Sequence, residues 1–220
     1  MKAAAIIVAA GKGQRFGGRT PKQFLLFKGK PLFLWSIIAF RKLREIRQVI
    51  LVVPGAMMPS LHTYGKRYGF TIVAGGKERQ DSVMSGLAAV SRDTDYVAIH
   101  DAARPLVSPS LIRRTLRAAR QHGAAIAAVP ARDTIKLSND GTRINSTIPR
   151  KSIWLAQTPQ TFSRPLIVKS YELLASLNVT DDAQAAELAG YPVAIVESDY
   201  SNIKITEPED LKIAGLLVAE

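Results

Sequence analysis

A glycine-rich, cationic loop stands near the start of the chain, AAGKGQRFGG at residues 9–18, directly after the apolar run 3–8. Small residues let backbone amides approach an anion closely, and Lys12 and Arg15 bring positive charge to the same place. Lys22 follows this loop closely in the sequence and adds a further cation. The loop therefore predicts a binding site for a phosphorylated ligand, and a triphosphate suits its charge.

Two known phosphate-binding patterns match this loop only in part. A dinucleotide fingerprint needs GxGxxG, but Gly11 and Gly13 are followed by Phe16 where the third glycine belongs. From Gly13 onward, GQRFGGRT nearly matches the P-loop pattern GxxxxGK[ST], with Arg19 in the place of the lysine. A guanidinium does not replace an ammonium around a phosphate without consequence, so a P-loop-like ATPase stays as an alternative of lower rank.

Other predicted strands also end in residues that can do chemistry. The segments GGKERQDS, HDAARP, ARDT and NIKIT follow or lie near strand ends along the rest of the chain. Gly75 and Gly76 would admit a flat base close to backbone donors and acceptors. Asp101 can hold a divalent cation or orient phosphates, although a lone Asp at a strand end is often a turn or helix cap. The carboxyl ends of parallel strands share one edge of a sheet, so we expect these segments to meet there.

The elements that would position these loops alternate between strand and helix patterns. The sequence predicts strands at 3–9, 48–53, 70–74, 96–99, 124–129 and 193–196. It predicts helices at 32–43, 59–68, 82–90, 110–122, 165–174 and 208–218. Continuous apolar strands joined by helical crossovers predict an α/β fold, a mostly parallel Rossmann-like sheet with helices on both faces.

One segment, about 132–153, departs from this alternation. It contains TIKLSNDGTRINSTI, two β-rich runs around the turn residues 138–141. We predict a protruding β-hairpin arm there. An isolated two-stranded hairpin is marginal in water, so the arm lies either against its own domain or against a second subunit.

The composition fits one domain over residues 1–220, with 47% hydrophobic and 22% charged residues. No apolar run reaches the length of a membrane span and no leader pattern precedes the first strand, so a cytoplasmic protein is expected. The chain has no cysteine, which excludes disulfides, thiolate nucleophiles and cysteine zinc sites. Its three histidines lie too far apart in sequence to form a metal-ligand motif.

The formal net charge is +12, from 30 Lys and Arg against 18 Asp and Glu. Such a balance favours an anionic partner, either nucleic acid, an acidic surface or a phosphorylated small molecule. Many cations fall in helical segments such as LIRRTLRAARQHG, where a solvated face is the usual explanation. Basic runs with interleaved aromatics are not evident, which makes a nucleic-acid-binding module the less favoured alternative and predicts no nucleic-acid partner.

Eight motifs together resemble one enzyme family nearly from end to end and in order: AAGKGQR, PKQF, GGKERQDSV, HDAARP, RDTIK, QTPQ, TDDA and NIKIT. The chain resembles the 2-C-methyl-D-erythritol 4-phosphate cytidylyltransferases of the non-mevalonate isoprenoid pathway. HDAARP with NIKIT is the more specific part, since AAGxGxR alone marks the wider class of sugar-nucleotide transferases. The resemblance implies attack of a sugar-alcohol phosphate on the α-phosphorus of CTP. A sibling that uses ribitol 5-phosphate shares most of these motifs and stays as an alternative.

The resemblance also implies roles for individual residues. Arg15, Lys22 and Lys204 would be catalytic and would stabilise the phosphates of the transition state. Contacts to CTP would come from Ala9, Ala10, Gly11, Gly13, Gly76, Ser82 and Ala102. The second substrate would be held by Arg104, Thr134, Arg150 and Thr180. Asp101 would bind Mg²⁺ or another divalent cation together with the CTP phosphates, and the hairpin arm would embrace a partner subunit in a homodimer.

Overall fold

The computed structural model describes residues 1–11, 21–174 and 177–218. Its strands, in chain order, are β1 Ala3–Val8, β2 Leu26–Phe27, β3 Lys30–Pro31, β4 Ile46–Val53, β5 Thr71–Ala74, β6 Tyr96–Asp101, β7 Ala124–Pro130, β8 Ile135–Leu137, β9 Ser146–Ile148, β10 Trp154–Ser163 and β11 Ala194–Glu197. Its α-helices are α1 Leu32–Arg41, α2 Met58–Tyr68, α3 Arg79–Ala88, α4 Pro109–His122, α5 Arg164–Leu173, α6 Asp182–Leu188 and α7 Pro208–Leu217.

Seven strands form one central sheet in the order β11-β7-β10-β6-β1-β4-β5. β1 lies parallel to both β4 and β6, β4 is parallel to β5, and β11 is parallel to β7. β10 runs antiparallel to both of its neighbours, β6 and β7. The chain leaves β1 toward β4 on one side and reaches β6 on the other, so the order reverses at β1. Ligands of such sheets bind beyond the carboxyl ends of the strands at this point of reversal.

Helices cover both faces of the sheet, because alternate residues of each buried strand point to opposite sides. On one face, Ala5 and Ile7 of β1 belong to a core shared with Phe33 and Phe40 of α1 and Leu116 of α4. On the other face, Ala4 and Ile6 share a core with Val83 of α3 and Ile167 of α5. All these side chains are completely or almost completely buried.

The predicted α/β architecture is confirmed, and each of the six predicted strands and six predicted helices has a counterpart within a few residues. Four of the described strands and helices were not predicted from the sequence: β2, β3, β10 and α6. β2 and β3 span two residues each, too few to show a strand pattern. β10 was missed because WLAQTPQTFS mixes polar residues with a proline and shows neither an apolar run nor regular alternation. α6 was missed because DAQAAEL spans only seven residues, too few to establish a helical period.

The segment predicted as an arm contains the short antiparallel pair of β8 and β9. The connection between them runs over 138–145, longer than the predicted turn at 138–141. The Asp140 side chain accepts hydrogen bonds from the backbone N–H groups of Thr142 and Arg143, at 2.8 and 3.0 Å, which shapes the added residues. Apolar side chains at and near its tip stay exposed, Leu137 at 48% and Ile144 at 65%.

Among the residues that the structure describes, none of the helices combines the length and apolar character that a bilayer crossing requires.

Candidate active site

A cavity of about 540 Å³ opens at the carboxyl ends of β1, β5 and β6, where the strand order reverses. Its described lining residues are Val8, Ala9, Ala10, Gly11, Lys22, Gln23, Gly76, Lys77, Glu78, Arg79, Ser82, Asp101, Ala103 and Lys204. Four of these side chains are cationic and two are acidic, so the lining is positive overall. Such a surface is suited to a polyanionic ligand.

The residues after β1 are fixed to the sheet and to the segment that carries Lys22. The Ala9 N–H donates to the carbonyl of Val52 at 2.7 Å, which continues the pairing of β1 with β4. The buried Gln23 amide donates to the carbonyls of Ala9 and Gly11, at 2.6 and 2.9 Å. Gln23 follows Lys22 in a single 3₁₀ turn, so these bonds bring Lys22 to the cavity wall.

A second wall is formed by the residues that follow β5 and begin α3. The buried Ser82 hydroxyl accepts from the Gly76 N–H at 3.2 Å and donates to the Glu78 carbonyl at 3.2 Å. Glu78 and Asp81 form a reciprocal capping box that fixes where α3 begins. The wall therefore holds backbone groups and the Ser82 hydroxyl in fixed positions, where they can contact a flat base.

The close approach at Gly75 predicts a loss of nucleotide affinity when a methyl group is added. A Cβ atom there would lie 2.5 Å from the Ala10 Cβ and 2.7 Å from the Ser82 Oγ, so both walls of the cavity must move apart. We expect Gly75→Ala to weaken binding of CTP, the nucleotide that the sequence resemblance implies, by about tenfold, within the range of overpacking strain, as measured by titration calorimetry. Gly55→Ala is the matched control, because its Cβ would meet only Ala74 at 4.0 Å. Unchanged CTP affinity in a folded Gly75→Ala protein would contradict this assignment.

Asp101, at the end of β6, lies between two cations at the floor of the cavity. Its Oδ2 contacts the Lys204 Nζ at 2.7 Å, and its Oδ1 lies 3.5 Å from the Arg79 Nε. Burial alone would raise the pKa of Asp101, but the charges of Arg79 and Lys204 outweigh it and hold that pKa well below its usual range. Asp101 is therefore a carboxylate at neutral pH and serves as an acceptor or a ligand, not as an acid.

His100 supports the residues that follow β6 through hydrogen bonds, and it does not titrate near neutral pH. Burial lowers its pKa to about 4. Its Nδ1 lies 3.0 Å from the Thr158 hydroxyl, which also accepts from the Asp101 N–H, and its Nε2 lies 3.1 Å from the Arg104 carbonyl. A carbonyl can only accept, so the neutral ring carries its proton on Nε2 and receives one from Thr158. The ring is thus a structural support of the site.

The segment that carries Lys204 is anchored on both sides of that residue. The buried Asn202 side chain donates to the Gln157 Oε1 at 2.8 Å and to the Thr158 carbonyl at 2.9 Å. After Lys204, the Ile205 N–H donates to the Ala103 carbonyl at 2.8 Å. These bonds hold the lysine backbone against β10 and the Asp101 loop, while the side chain stays 44% exposed.

The predicted residues for the second substrate lie outside the described lining of this cavity. Arg104 is buried and donates to the Asn202 carbonyl at 2.7 Å, and burial lowers its pKa. Thr134 and Arg150 are exposed at the two ends of the arm segment, and Arg150 donates to the Arg132 carbonyl. Thr180 is exposed beside α6, and its hydroxyl contacts the Gln184 side chain at 3.1 Å.

The cavity thus brings together eight of the sequence-predicted site residues: Ala9, Ala10, Gly11, Lys22, Gly76, Ser82, Asp101 and Lys204. Ala102 is buried next to the lining residue Ala103. Gly13 and Arg15 lie outside the described residues. The lining residues that were not predicted from the sequence include Arg79 and Gln23. Both stand inside the quoted motifs GGKERQDSV and PKQF, and the signal that could have found them was a polar side chain within three residues of a predicted contact.

The donor set at Asp101 fits a magnesium ion only in part. Within residues 1–11, 21–174 and 177–218, no group of three or more His, Cys, Asp or Glu side chains converges on one point. Asp101 is an ionised carboxylate in the cavity, and Mg²⁺ in nucleotide sites is commonly held by one or two carboxylates and by phosphate oxygens. Asp101 could therefore supply the protein ligand, with the triphosphate supplying the others.

The geometry suits displacement at a nucleotide phosphate without a protein nucleophile. Small residues and backbone groups line one side of the cavity, and Lys22, Arg79 and Lys204 place cations along it. A phosphate monoester is already an anionic nucleophile, so the protein has to align the reactants and stabilise developing charge.

Comparisons with known proteins show which family the chain is similar to. The family model described as IspD, 2-C-methyl-D-erythritol 4-phosphate cytidylyltransferase, matches residues 3–220. A relative of that name from Endomicrobium trichonymphae is 44% identical over 97% of this chain and 97% of its own length. Another, from Alkaliphilus oremlandii, is 43% identical over 97% of this chain and 93% of its own length.

Solved structures of the same kind share the fold over nearly the whole chain. The crystal structure of 2-C-methyl-D-erythritol 4-phosphate cytidylyltransferase from Thermus thermophilus has a TM-score of 0.84 and 36% identity, covering 99% of this chain and 98% of that one. The 4-diphosphocytidyl-2C-methyl-D-erythritol synthase from Anaerococcus prevotii has a TM-score of 0.86 and 32% identity, covering 98% and 95%. Family model, relatives and structures agree, and the chain belongs to the 2-C-methyl-D-erythritol 4-phosphate cytidylyltransferase family.

Proposed function

We propose that this enzyme transfers CMP from CTP to 2-C-methyl-D-erythritol 4-phosphate, a step of isoprenoid precursor biosynthesis. The products are 4-diphosphocytidyl-2-C-methyl-D-erythritol and pyrophosphate. The observation that carries the proposal is the cavity in which Lys22 and Lys204 face the residues after β1 and β5. The family match over residues 3–220 favours this reaction over ribitol 5-phosphate transfer, a P-loop-like ATPase or a nucleic-acid-binding module.

In this reaction an oxygen of the methylerythritol phosphate attacks the α-phosphorus of CTP. A new P–O bond forms there, the bond to the β-phosphate breaks, and pyrophosphate leaves with the electron pair. Negative charge accumulates on the α-phosphate oxygens during the exchange. Lys22 and Lys204 stabilise that charge, and Arg15 is assigned the same task by its place in the motif AAGKGQR. Gly76 and Ser82 hold the cytosine, and backbone groups of Ala9, Ala10 and Gly11 hold the nucleotide.

Pyrophosphate release tests the function and separates it from the alternatives. We expect release only when CTP and methylerythritol phosphate are present together. Ribitol 5-phosphate in place of methylerythritol phosphate tests the sibling reaction, and ATP alone tests a phosphatase or ATPase. Phosphate release from ATP without a second substrate, or release with CTP and ribitol 5-phosphate alone, would overturn the proposal.

We also propose that Mg²⁺ or another divalent cation accompanies CTP, with Asp101 as its protein ligand. When bound, the ion neutralises phosphate oxygens of the triphosphate. The Asp101 carboxylate would hold the ion together with phosphate oxygens, beside Lys204, whose Nζ lies 2.7 Å from Oδ2.

Removal of divalent cations is expected to lower pyrophosphate release by roughly two orders of magnitude. The measurement is turnover in excess chelator, with recovery on adding Mg²⁺ beyond the chelator as the control. Undiminished turnover in the chelator would contradict both the cofactor and the role of Asp101.

We further propose a homodimer in which the arm of each subunit completes the site of its neighbour. Thr134 and Arg150 flank the arm and lie exposed, outside the described lining of their own cavity. Leu137, Ile144 and Leu155 expose 48%, 65% and 45% of their surface on or beside the arm. Apolar surface of this kind is characteristic of a contact with another chain.

Deleting Leu137 to Arg143, the tip of the arm, is expected to give mostly monomer. Affinity for methylerythritol phosphate should fall strongly, while CTP still binds, because the CTP cavity is formed by loops of the central sheet. Light scattering measures the mass and calorimetry measures the two affinities. A stable dimer, or equal losses for both ligands, would contradict the proposed role of the arm.

A further inference from the structure

Asp182 is a completely buried carboxylate that lies outside the cavity, at the first residue of α6. Its Oδ1 accepts from the Arg79 NH1 at 3.1 Å and from the Tyr171 hydroxyl at 2.6 Å, and its Oδ2 accepts from the Arg79 NH2 at 2.7 Å. A buried carboxylate persists only when it is paired and hydrogen-bonded, and this one is. The reaction described above gives Asp182 no role.

Asp182 holds a cation that also faces the carboxylate of the cavity floor. The terminal nitrogens of Arg79 point to Asp182, and its Nε lies 3.5 Å from the Asp101 Oδ1. The other oxygen of Asp101 contacts Lys204 at 2.7 Å. The charges therefore alternate in space from Asp182 through Arg79 and Asp101 to Lys204.

The guanidinium group of Arg79 is planar and rigid. Its Nε faces Asp101 and its terminal nitrogens face Asp182, so the two carboxylates compete for one cation. A bidentate pair of an Arg fork with a carboxylate is among the strongest side-chain contacts in proteins. Among the described residues, the other carboxylate in ion-pair contact with the Arg79 guanidinium is that of Asp101. A bidentate contact there would engage both oxygens of Asp101 and compete with Lys204 for Oδ2, which weakens the contact between Lys204 and Asp101.

Asp182 is itself fixed by contacts that do not involve Arg79. The preceding residue, Asp181, caps α6 by accepting from the Gln184 N–H at 2.9 Å, and it accepts from the Gln160 side chain at 2.8 Å. The following residue, Ala183, donates to the Gln160 side chain at 2.9 Å. Gln160 of β10 thus fixes the position of Asp182, and Asp182 orients the Arg79 guanidinium.

We propose that Asp182 is a positioning residue, which keeps the Arg79 fork away from Asp101 so that Asp101 can hold Lys204 at the reaction site. The catalytic consequence rests on the proposed function, but the contact between Asp101 and Lys204 does not. The charge state of Arg79 supports this proposal. Burial would lower the pKa of Arg79, but the carboxylates of Asp182 and Asp101 raise it far above its usual value, so the fork stays charged.

The test is the rate at which an amine-selective acylating reagent labels Lys204, followed by mass spectrometry of its peptide. In Asp182→Asn the neutral amide oxygen holds the fork much more weakly than the carboxylate does. We expect Lys204 to be labelled at least about threefold faster, as for an amine that has lost an ion pair. The exposed Lys66 of α2 is the internal reference. We also expect kcat to fall about tenfold while the dissociation constant of CTP changes less, since the charge of Arg79 remains at the cavity.

The double variant Asp182→Asn with Arg79→Gln separates positioning from other effects. Because the fork that displaces Lys204 is gone, its labelling rate should return to that of the unmodified protein. Asp93→Asn is the matched control: it removes an ion-paired carboxylate, which contacts Lys2 at 2.7 Å on the surface, and should leave the labelling of Lys204 unchanged.

Each outcome decides the proposal. Fast labelling in Asp182→Asn and normal labelling in the double variant would support it. Normal labelling in folded Asp182→Asn, or equally fast labelling in the double variant, would overturn it. Asp182→Ser makes the same change of charge if the Asn variant is not recovered folded. If neither single variant folds but the double variant does, Asp182 acts on stability alone and the proposal fails. The labelling needs no turnover, so its outcome is separate from that of the proposed function.

Discussion

Turnover falls by about two to three orders of magnitude when Lys204 is replaced by alanine, as expected for the loss of a donor to transition-state charge. Lys204 contacts Asp101, with 2.7 Å between Nζ and Oδ2, and its segment is anchored on both sides by buried hydrogen bonds. A fixed cation stabilises charge without reorganising during the reaction. The same reasoning applies to Lys22→Ala, because Lys22 lines the same cavity.

The distinguishing measurement is turnover compared with CTP affinity. The cavity keeps its other cations when Lys204 is lost, so CTP binding should weaken much less than turnover falls. Folding should be unaffected, since the Lys204 side chain is 44% exposed. Lys66→Ala, at an exposed position of α2, is the matched control. A Lys204→Ala enzyme that turns over near the normal rate would remove Lys204 from the catalytic residues.

Activity reappears when two inactive variants, Lys22→Ala and Arg150→Ala, are mixed and allowed to exchange subunits. Lys22 lies in the cavity of its own chain, whereas Arg150 is exposed at the base of the arm. If the arm reaches the neighbouring cavity, one of the two sites of each mixed dimer has both residues. With random exchange of equal amounts, about one quarter of the normal activity should return.

The control is each variant exchanged with itself, which should stay inactive. Exchange is verified separately, with a mass tag on one of the two variants. If both residues of a site come from one chain, every site in every mixed dimer remains damaged. No recovery after verified exchange would therefore show that the arm does not complete the neighbouring site.

The sequence alone determined the plan of the sheet and most of the cavity wall. Buried parallel strands are continuous apolar runs, so their positions can be read directly from the chain. The residues that follow β1, β5 and β6 had to meet because parallel strands end at the same edge of the sheet. Gly76 and Asp101 were predicted on that ground and Ala10 from the family resemblance, and the cavity contains all three.

Tertiary structure alone decided which polar side chains would meet behind that wall. β10 runs antiparallel between β6 and β7, and it brings Thr158 to His100 and to Asn202. Arg79 and Asp182 meet across 103 positions of sequence. Such pairs follow from where a strand is inserted and where two helices begin. These features produce no periodic pattern in the chain, because a single buried contact between distant residues leaves no trace in the residues around it.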